Sequence, residues 1–384
     1  MNNAYRGRAQ TEAKHFILKR YLQTLIYKLF ASGYKHVAYV DGFSGPWGSK
    51  TDDFADTSFM IAIGVLKNAH YQFRQRGPER VTKCYFVEEK LKSFRKLKAA
   101  VAAFNRPTEG FEVHTFKGTF EDAVSEIVPF ISGCFALTFI DPTGWTGYSY
   151  QRTAPILSHK PGEVLINFMY DHANRAAAMS DPKTVASFDP ILGGPGWKHR
   201  LDPNLPPGRA LEKLFRQELK KAGSFDYVLS TSIDKATSDR PHFFIAYGTR
   251  NTAGLKAFRQ IEYDALRAHE KRRADAKIEK KAAKTGQTDM FGADHAAAEQ
   301  NVNELVDENK AAAKAWLPSR LSASNEGVRF DDLATEILEQ FMLRETDAKD
   351  ICVDLANDGV IEATWKADDP RKRKPQDHSL IKLN

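Results

Sequence analysis

At 384 residues the chain is long enough for one large domain and a smaller one, and no apolar run approaches the roughly 18 residues that span a bilayer. Cys84, Cys134 and Cys352 stand far apart among apolar neighbours and residues 1–15 are polar, so a disulfide framework, a zinc site and a secretory signal are not expected, and buried free thiols in a cytoplasmic protein are. The net charge of +7 leans toward an anionic partner, although charge of this size also serves solubility.

Residues 11–31 place Phe16, Ile17, Tyr21, Leu22, Leu25, Ile26 and Leu29 on one helical face, and Ser32-Gly33 ends the helix. Val37–Val40 is a short continuous apolar run, the mark of a parallel strand buried on both faces. Asp41 follows, with Gly42, Gly45 and Gly48 in a loop where the backbone can turn tightly or approach a ligand. Thr57–Lys67 is the first crossover helix, capped by Thr57 or Ser58. Further strands are expected at Cys84–Glu88, Val113–Phe116, Phe135–Ile140 and Glu163–Met169, with helices over Leu91–Phe104, from Gly118 to Val128, and over Thr153–Ser158. Alternation of this kind builds right-handed parallel βαβ units.

Residues 180–209 are rich in Pro, Gly and Asp and are expected to form an inserted loop or lid over the strand ends. A helix over Ala210–Lys221 precedes two strands, Asp226–Ile233 and His242–Thr249, whose short connection predicts antiparallel pairing. The fold class is therefore α/β: a Rossmann-like, mostly parallel sheet with a terminal antiparallel pair, over residues 1–254. Leu255 to Lys284 is charged and helical, and Gly286–Asp307 reads as a linker or broken helix, so 255–315 is a charged helical linker. Helices at Phe330–Phe341 and Thr346–Asn357, a strand at Val360–Trp365, a basic turn and a returning strand at Ser379–Leu383 give a winged helix-turn-helix over 316–384.

Four features sit where successive parallel strands end, which is where open α/β sheets bind ligands. Asp41, Gly42, Phe43 and Gly45 follow the first strand and suit the amino-acid end of S-adenosylmethionine (SAM). Glu88, after the second, can accept hydrogen bonds from both ribose hydroxyls, while Phe120 and Glu121, past the third, can border the adenine. Asp141-Pro142, after the fourth, would face the reacting methyl. Asp141-Pro142-Thr143-Gly144-Trp145 resembles the Asp-Pro-Pro-aromatic motif of amino-group methyltransferases, with Trp145 one residue late for the stacking ring. Asp171, His172 and Arg175 follow the fifth strand and would line the same cleft. Lys366, Arg371, Lys372, Arg373 and Lys374 cluster at the expected wing and can reach phosphates, whereas Asp347, Asp350 and Asp354 make the expected recognition helix acidic, so a protein-docking domain is the alternative.

Tyr39-Val40-Asp41-Gly42-Phe43-Ser44-Gly45-Pro46 closely resembles the "YIDGFAGPG" signature of the three-Cys-motif partner (TcmP) family. Lys14 with Leu18 and Tyr21-Leu22 resembles that family's "K…L..YL" opening, Phe139–Pro142 with Gly144 its "FDPFG" element, and Val164–Phe168 its "LINF" strand. Trp47 stands where the family has glycine. The resemblance covers roughly residues 11–250 and implies a Rossmann-like methyltransferase fold encoded beside a radical-SAM-like three-cysteine protein, its expected partner. The leading reading is a SAM-dependent methyltransferase acting on nucleic acid. A non-catalytic methyltransferase-like binder is the alternative, and a metal-dependent nuclease using Asp41, Glu88 and Asp141 is the third.

Overall fold

The computed structural model describes residues 5, 8–46, 48–75, 77, 80–170, 181–235, 238–285, 293–324, 326–368 and 371–384. They form two compact units, Met1–Arg250 and Asn251–Asn384.

Seven strands make the sheet of the first unit: β1 (His36–Asp41), β2 (Val81–Glu88), β3 (Phe111–Lys117), β4 (Phe135–Ile140), β5 (Gly162–Phe168), β6 (Tyr227–Lys235) and β7 (Ser238–Thr249). Their order is β3-β2-β1-β4-β5-β7-β6. The first five are parallel, and β7 runs antiparallel to both β5 and β6. This is the Rossmann-like, methyltransferase-type sheet with an antiparallel end that the strand inventory predicts. Strand order reverses between β1 and β4, and such a switch point opens a crevice at the carboxyl ends of the two strands.

Because side chains alternate along a strand, each strand feeds two different layers. On one face, Ala38, Val40, Tyr85, Val87, Ile140, Val164, Ile166 and Phe168 join an apolar core with α4 (Phe120–Ile131), α5 (Tyr150–Leu157) and α7 (Pro207–Gly223). On the other face lie α1 (Ala9–Ala31) and α2 (Ser58–Arg74), where Phe59 meets Phe86 and Tyr21 meets Tyr247. Helix α2 runs seven residues past its expected end at Lys67. Ala69 and His70 are buried there, and the His70 ring bonds the Thr82 hydroxyl and the Glu109 carbonyl, each at 3.0 Å. Helix α3 (Leu91–Val101) completes the β2–β3 crossover. All three cysteines are free and buried, as expected.

Residues 181–200 do not form a polar lid. They carry α6 (Pro182–Ala186) and a 3₁₀ turn at Trp197–Arg200, and Phe188, Ile191, Leu192 and Trp197 are fully buried in the apolar core. Four large side chains within ten residues outweigh the Pro and Gly around them; each burial contributes about 1.5–3 kcal/mol.

The second unit holds α8 (Thr252–Thr285), α9 (Ala293–Ser322), β8 (Val328–Arg329), α10 (Phe330–Gln340), α11 (Glu345–Asn357), α12 (Trp365–Asp368) and β9 (Leu380–Ile381). Helices α8 and α9 pack within this unit: Leu255, Phe258 and Ile261 are buried, and the buried Arg259 guanidinium donates to the Leu338 carbonyl at 2.7 Å. Of the two readings of 286–307, linker or broken helix, residues 293–307 take the helical one, while 286–292 lie outside the described residues. The expected strand at Val360–Trp365 does not form. Trp365 is buried and begins α12, and turn hydrogen bonds tie Lys366 to Ala363 and Ala367 to Thr364; the expected pairing is reduced to an antiparallel bridge of Ile361 with Leu383, flanked by Glu362 N to the Lys382 carbonyl (3.0 Å) and Asn384 N to the Val360 carbonyl (3.2 Å). The ladder that does form pairs β8 with β9.

No helix among the described residues is long and apolar enough to cross a membrane.

Candidate functional site

Asp41 ends β1 at the switch point, fully buried on the α1/α2 side of the sheet. Its Oδ1 accepts from the Phe43 amide at 3.1 Å, and its backbone carbonyl accepts from the Ser44 hydroxyl at 2.9 Å. The loop is pinned further by Gly42 N to the Phe139 carbonyl (3.0 Å) and Ser44 N to the Val87 carbonyl (2.7 Å). Its turn therefore spans the ends of β1, β2 and β4. Asp41 Oδ2 meets no hydrogen-bond partner among the described residues. Burial pushes this carboxyl up to about 6, and the charge of Asp141 adds to the effect; Ser58, the Phe43 amide and Ser44 pull the other way.

Two more buried polar atoms near Asp41, the Tyr39 hydroxyl and Asn167 Oδ1, meet no hydrogen-bond partner within 3.5 Å among the described residues. Tyr39 lies two residues before Asp41 on the same strand face, and burial, then the charges of Asp41, Cys84 and Asp141, push its hydroxyl well above the ordinary range. Asn167 is the polar residue in the otherwise apolar end of β5. Its Nδ2 donates to Asp141 Oδ1 at 2.7 Å. The other oxygen of Asp141 is 2.5 Å from Lys14 Nζ on α1, both side chains being 14% exposed. His15 beside it is buried against Tyr5, and burial, followed by the Lys14 charge, holds its pKa down at about 3, so it is a neutral ring.

The glycine loop itself is less open than its composition suggests. A Cβ on Gly42 would lie 2.8 Å from Cγ and Cδ2 of Phe120, whose ring is fully buried. Glycine is required there by a ring of the protein's own core. Phe43 is half-buried and tilts against Phe120 at 6.0 Å, and Gly45 is half-buried. Downstream, Asp56 gathers the Ser49 hydroxyl (2.5 Å), the Lys50 amide (3.0 Å), the Thr51 hydroxyl (3.2 Å) and Arg8. Burial works against this carboxylate, but the hydrogen bonds hold its pKa down at about 2. Residues 49–56 thus form a second structured turn between β1 and α2.

Glu88 ends β2, buried, with Oε1 accepting from the Lys90 amide at 2.6 Å. Glu121 has partners of its own. Its Oε1 accepts from the Ser149 amide at 2.7 Å and its Oε2 pairs with Arg152 at 2.8 Å, which anchors the start of α5. Pro142 is buried. Trp145 donates from Nε1 to Ser187 Oγ at 2.8 Å and stacks on Phe188 at 4.9 Å with planes 12° apart, so its ring serves the core in this state. Trp47, Asp171, His172 and Arg175 lie outside the described residues.

Asp41, Glu88 and Asp141 thus sit at one sheet edge, whereas Phe120, Glu121 and Trp145 are engaged in packing. Among the described residues, no group of three His, Cys, Asp or Glu could hold a metal ion. Lys14 entered the sequence reading only through a resemblance, and Asn167 was missed. The signal for Asn167 was present, an amide inside an apolar strand; that for Lys14 was not, since helical periodicity does not say which charged residue turns inward.

In the second unit, the acidic α11 is neutralised from within. Asp347 pairs with Arg344 at 2.8 Å and Lys310 at 3.3 Å, Asp354 with Lys314 at 2.5 Å, and Asp350 with Lys374 of the basic tip. Lys366, Arg371, Arg373 and Lys374 are exposed and Lys372 is half-buried.

The sequence matches no family model and no curated protein. Several solved structures resemble the chain, two of which illustrate the level of likeness. Protein LPL1258 of Legionella pneumophila, of the family DUF519, is 11% identical over 62% of this chain and 85% of its own, with a TM-score of 0.33. The O-methyltransferase TomG of Streptomyces achromogenes, involved in tomaymycin synthesis and solved with SAM, is 13% identical over 60% of this chain and 79% of its own, with a TM-score of 0.30. Likeness at this level carries no argument about reaction or substrate, which must come from the chain's own geometry.

Proposed function

We propose that this protein is a SAM-dependent methyltransferase acting on an amino group of nucleic acid. The observation that carries the reading is Asp41: a buried carboxylate at the switch point of a methyltransferase-type sheet, with one oxygen that meets no hydrogen-bond partner within 3.5 Å among the described residues. A buried acceptor without a donor costs about 1–3 kcal/mol, and the α-ammonium of SAM is a donor of complementary charge. Glu88, at the end of the neighbouring strand, would take the ribose hydroxyls. Glu121 does not fit the role of adenine acceptor unless Arg152 and the Ser149 amide release it. When bound, SAM supplies an electrophilic methyl on a sulfonium. Asp141 would accept an N–H of the substrate amine and orient its lone pair, with the Pro142 carbonyl as a second acceptor and Trp145 as a stacking ring.

For the second unit we favour a winged helix with a minimal sheet. The order α9, β8, α10, α11, the bridge at Ile361 and β9 supports it. Lys366, Arg371, Lys372, Arg373 and Lys374 would then contribute phosphate affinity that falls with salt. The resemblance of residues 39–46 to the three-Cys-motif partner signature is the ground for proposing a radical-SAM-like three-cysteine protein as partner.

A second reading, a non-catalytic binder, draws on the same edge: Asp141 is already ion-paired and Trp145 already stacked. Transfer of labelled methyl from SAM to DNA and RNA separates the two. The methyltransferase reading expects incorporation that Asp141→Ala abolishes while SAM affinity is kept; SAM binding with no incorporation into DNA, RNA or total cellular protein favours the binder.

A further inference from the structure

The polar atoms gathered under the first turns of α1 are unbalanced in a particular way. Asp141, Asn167 Oδ1 and Asp41 Oδ2 are acceptors, and Tyr39 can accept as well as donate. Asn167 uses its amide nitrogen to fix Asp141 Oδ1 at 2.7 Å, and its own buried oxygen has no partner among the described residues. The cationic N–H group delivered to this set is Lys14 Nζ, 2.5 Å from Asp141 Oδ2. An ammonium carries three N–H donors on a flexible four-carbon stem, so it can supply a cation here and also leave without unfolding the helix that bears it.

We propose that Asp141 and Asn167 form a recognition subsite for a primary amine, and that Lys14 fills it in cis as a surrogate until an incoming amine displaces it. The inference deepens the methyltransferase reading and rests on it in one respect, that the incoming amine is the methyl acceptor; amine recognition itself needs no cofactor. Lys14 is then a specificity device. It screens the partly buried Asp141 charge in the free protein and rejects ligands that cannot supply an equivalent N–H donor, because their binding would leave the carboxylate unpaired. A purely structural ion pair would hold α1 on the sheet and would recognise no free amine.

Chemical rescue tests this without SAM. Lys14→Ala should lower Tm by roughly 5–10 °C, and methylammonium chloride should restore a few degrees of it in a saturable manner. Tetramethylammonium, which has the charge but no N–H, should not. The double variant Lys14→Ala/Asp141→Asn should lose the response, and the wild-type protein, whose subsite is full, should show little of it. Equal responses to the two cations, a response that survives in the double variant, or no rescue at all would overturn the proposal. If Lys14→Ala does not fold, wild type carries the test by NMR. The protected Lys14 Nζ signal, assigned by its loss in Lys14→Arg, should disappear with methylammonium and persist with tetramethylammonium; persistence with both would count against the idea. Rescue in a protein that does not bind SAM would keep the subsite and remove the methyltransferase reading, whereas SAM binding without rescue would do the reverse.

Discussion

One face of the sheet carries two buried polar clusters, one at each end of its strands, and they differ in a single respect. At the start of β5, Glu163 accepts from the Tyr21 hydroxyl at 2.5 Å and from Thr249 at 2.8 Å, and Tyr21 meets the Tyr247 hydroxyl at 2.5 Å. Every oxygen in that network has a partner. At the strand ends, Asp41, Tyr39 and Asn167 each keep one atom without a partner among the described residues. Both clusters lie beneath α1, and Glu163, Asp41, Tyr39 and Asn167 are all buried, so burial alone does not distinguish structure from function. Satisfaction does: the first network is complete and fastens α1 to the sheet, while the second has unpaired acceptors that a ligand group could fill, the reading proposed above.

The largest effect expected from this contrast falls on the fastening. Glu163→Ala would leave Tyr21, Tyr247 and Thr249 without their common acceptor and should cost about 3–5 kcal/mol in urea unfolding. SAM affinity should be unchanged in the fraction that stays folded. A loss of affinity at full stability would mean that the two ends are not independent.

Gly42→Ala comes next. A Cβ 2.8 Å from the stem of a buried Phe120 ring cannot be absorbed by a swinging side chain, so about 1–3 kcal/mol of destabilisation is expected, together with weaker SAM binding as the loop shifts. If Gly42→Ala weakens SAM binding without touching Tm, glycine is needed there for the ligand and the Phe120 ring is mobile.

Asp41→Asn should act with the opposite sign. The folded carboxyl titrates at about 6, above its ordinary 3.8, so the protonated form is the one that folding favours. That contribution is complete below about pH 4 and is lost as pH rises through about 6. Asp41→Asn should therefore match wild type near pH 4 and exceed it by about 3 kcal/mol above pH 7 in the absence of ligand, as urea titrations across this range would report. A stability difference independent of pH would show that Asp41 is already paired in solution.

The frame of the molecule was legible because it depends on local regularities. Val37–Val40 and Phe135–Ile140 read as buried parallel strands since nothing polar interrupts them, and the antiparallel end followed from the short link between β6 and β7. What could not be read depends on pairings across long sequence separations. Glu121 looked available until Arg152, 31 residues on, was found holding it. Asp141 looked catalytic and bare until Lys14 was found against it. Trp365 misled in another way: a Trp in an alternating run favours a strand, but its ring found the core of the small unit through a turn and a short helix. Local pattern fixes which segments are buried, and the partner of a buried charge is chosen by the fold.

The central claim, that the incomplete cluster awaits a cationic ligand group at Asp41, is tested most directly by calorimetric titration of SAM into wild type and Asp41→Asn at neutral pH. Wild type should bind, and Asp41→Asn should bind at least about tenfold more weakly, the equivalent of about 1.4 kcal/mol, while gaining stability when free. Absence of binding to wild type at millimolar SAM, or equal affinity in the two proteins, would contradict it.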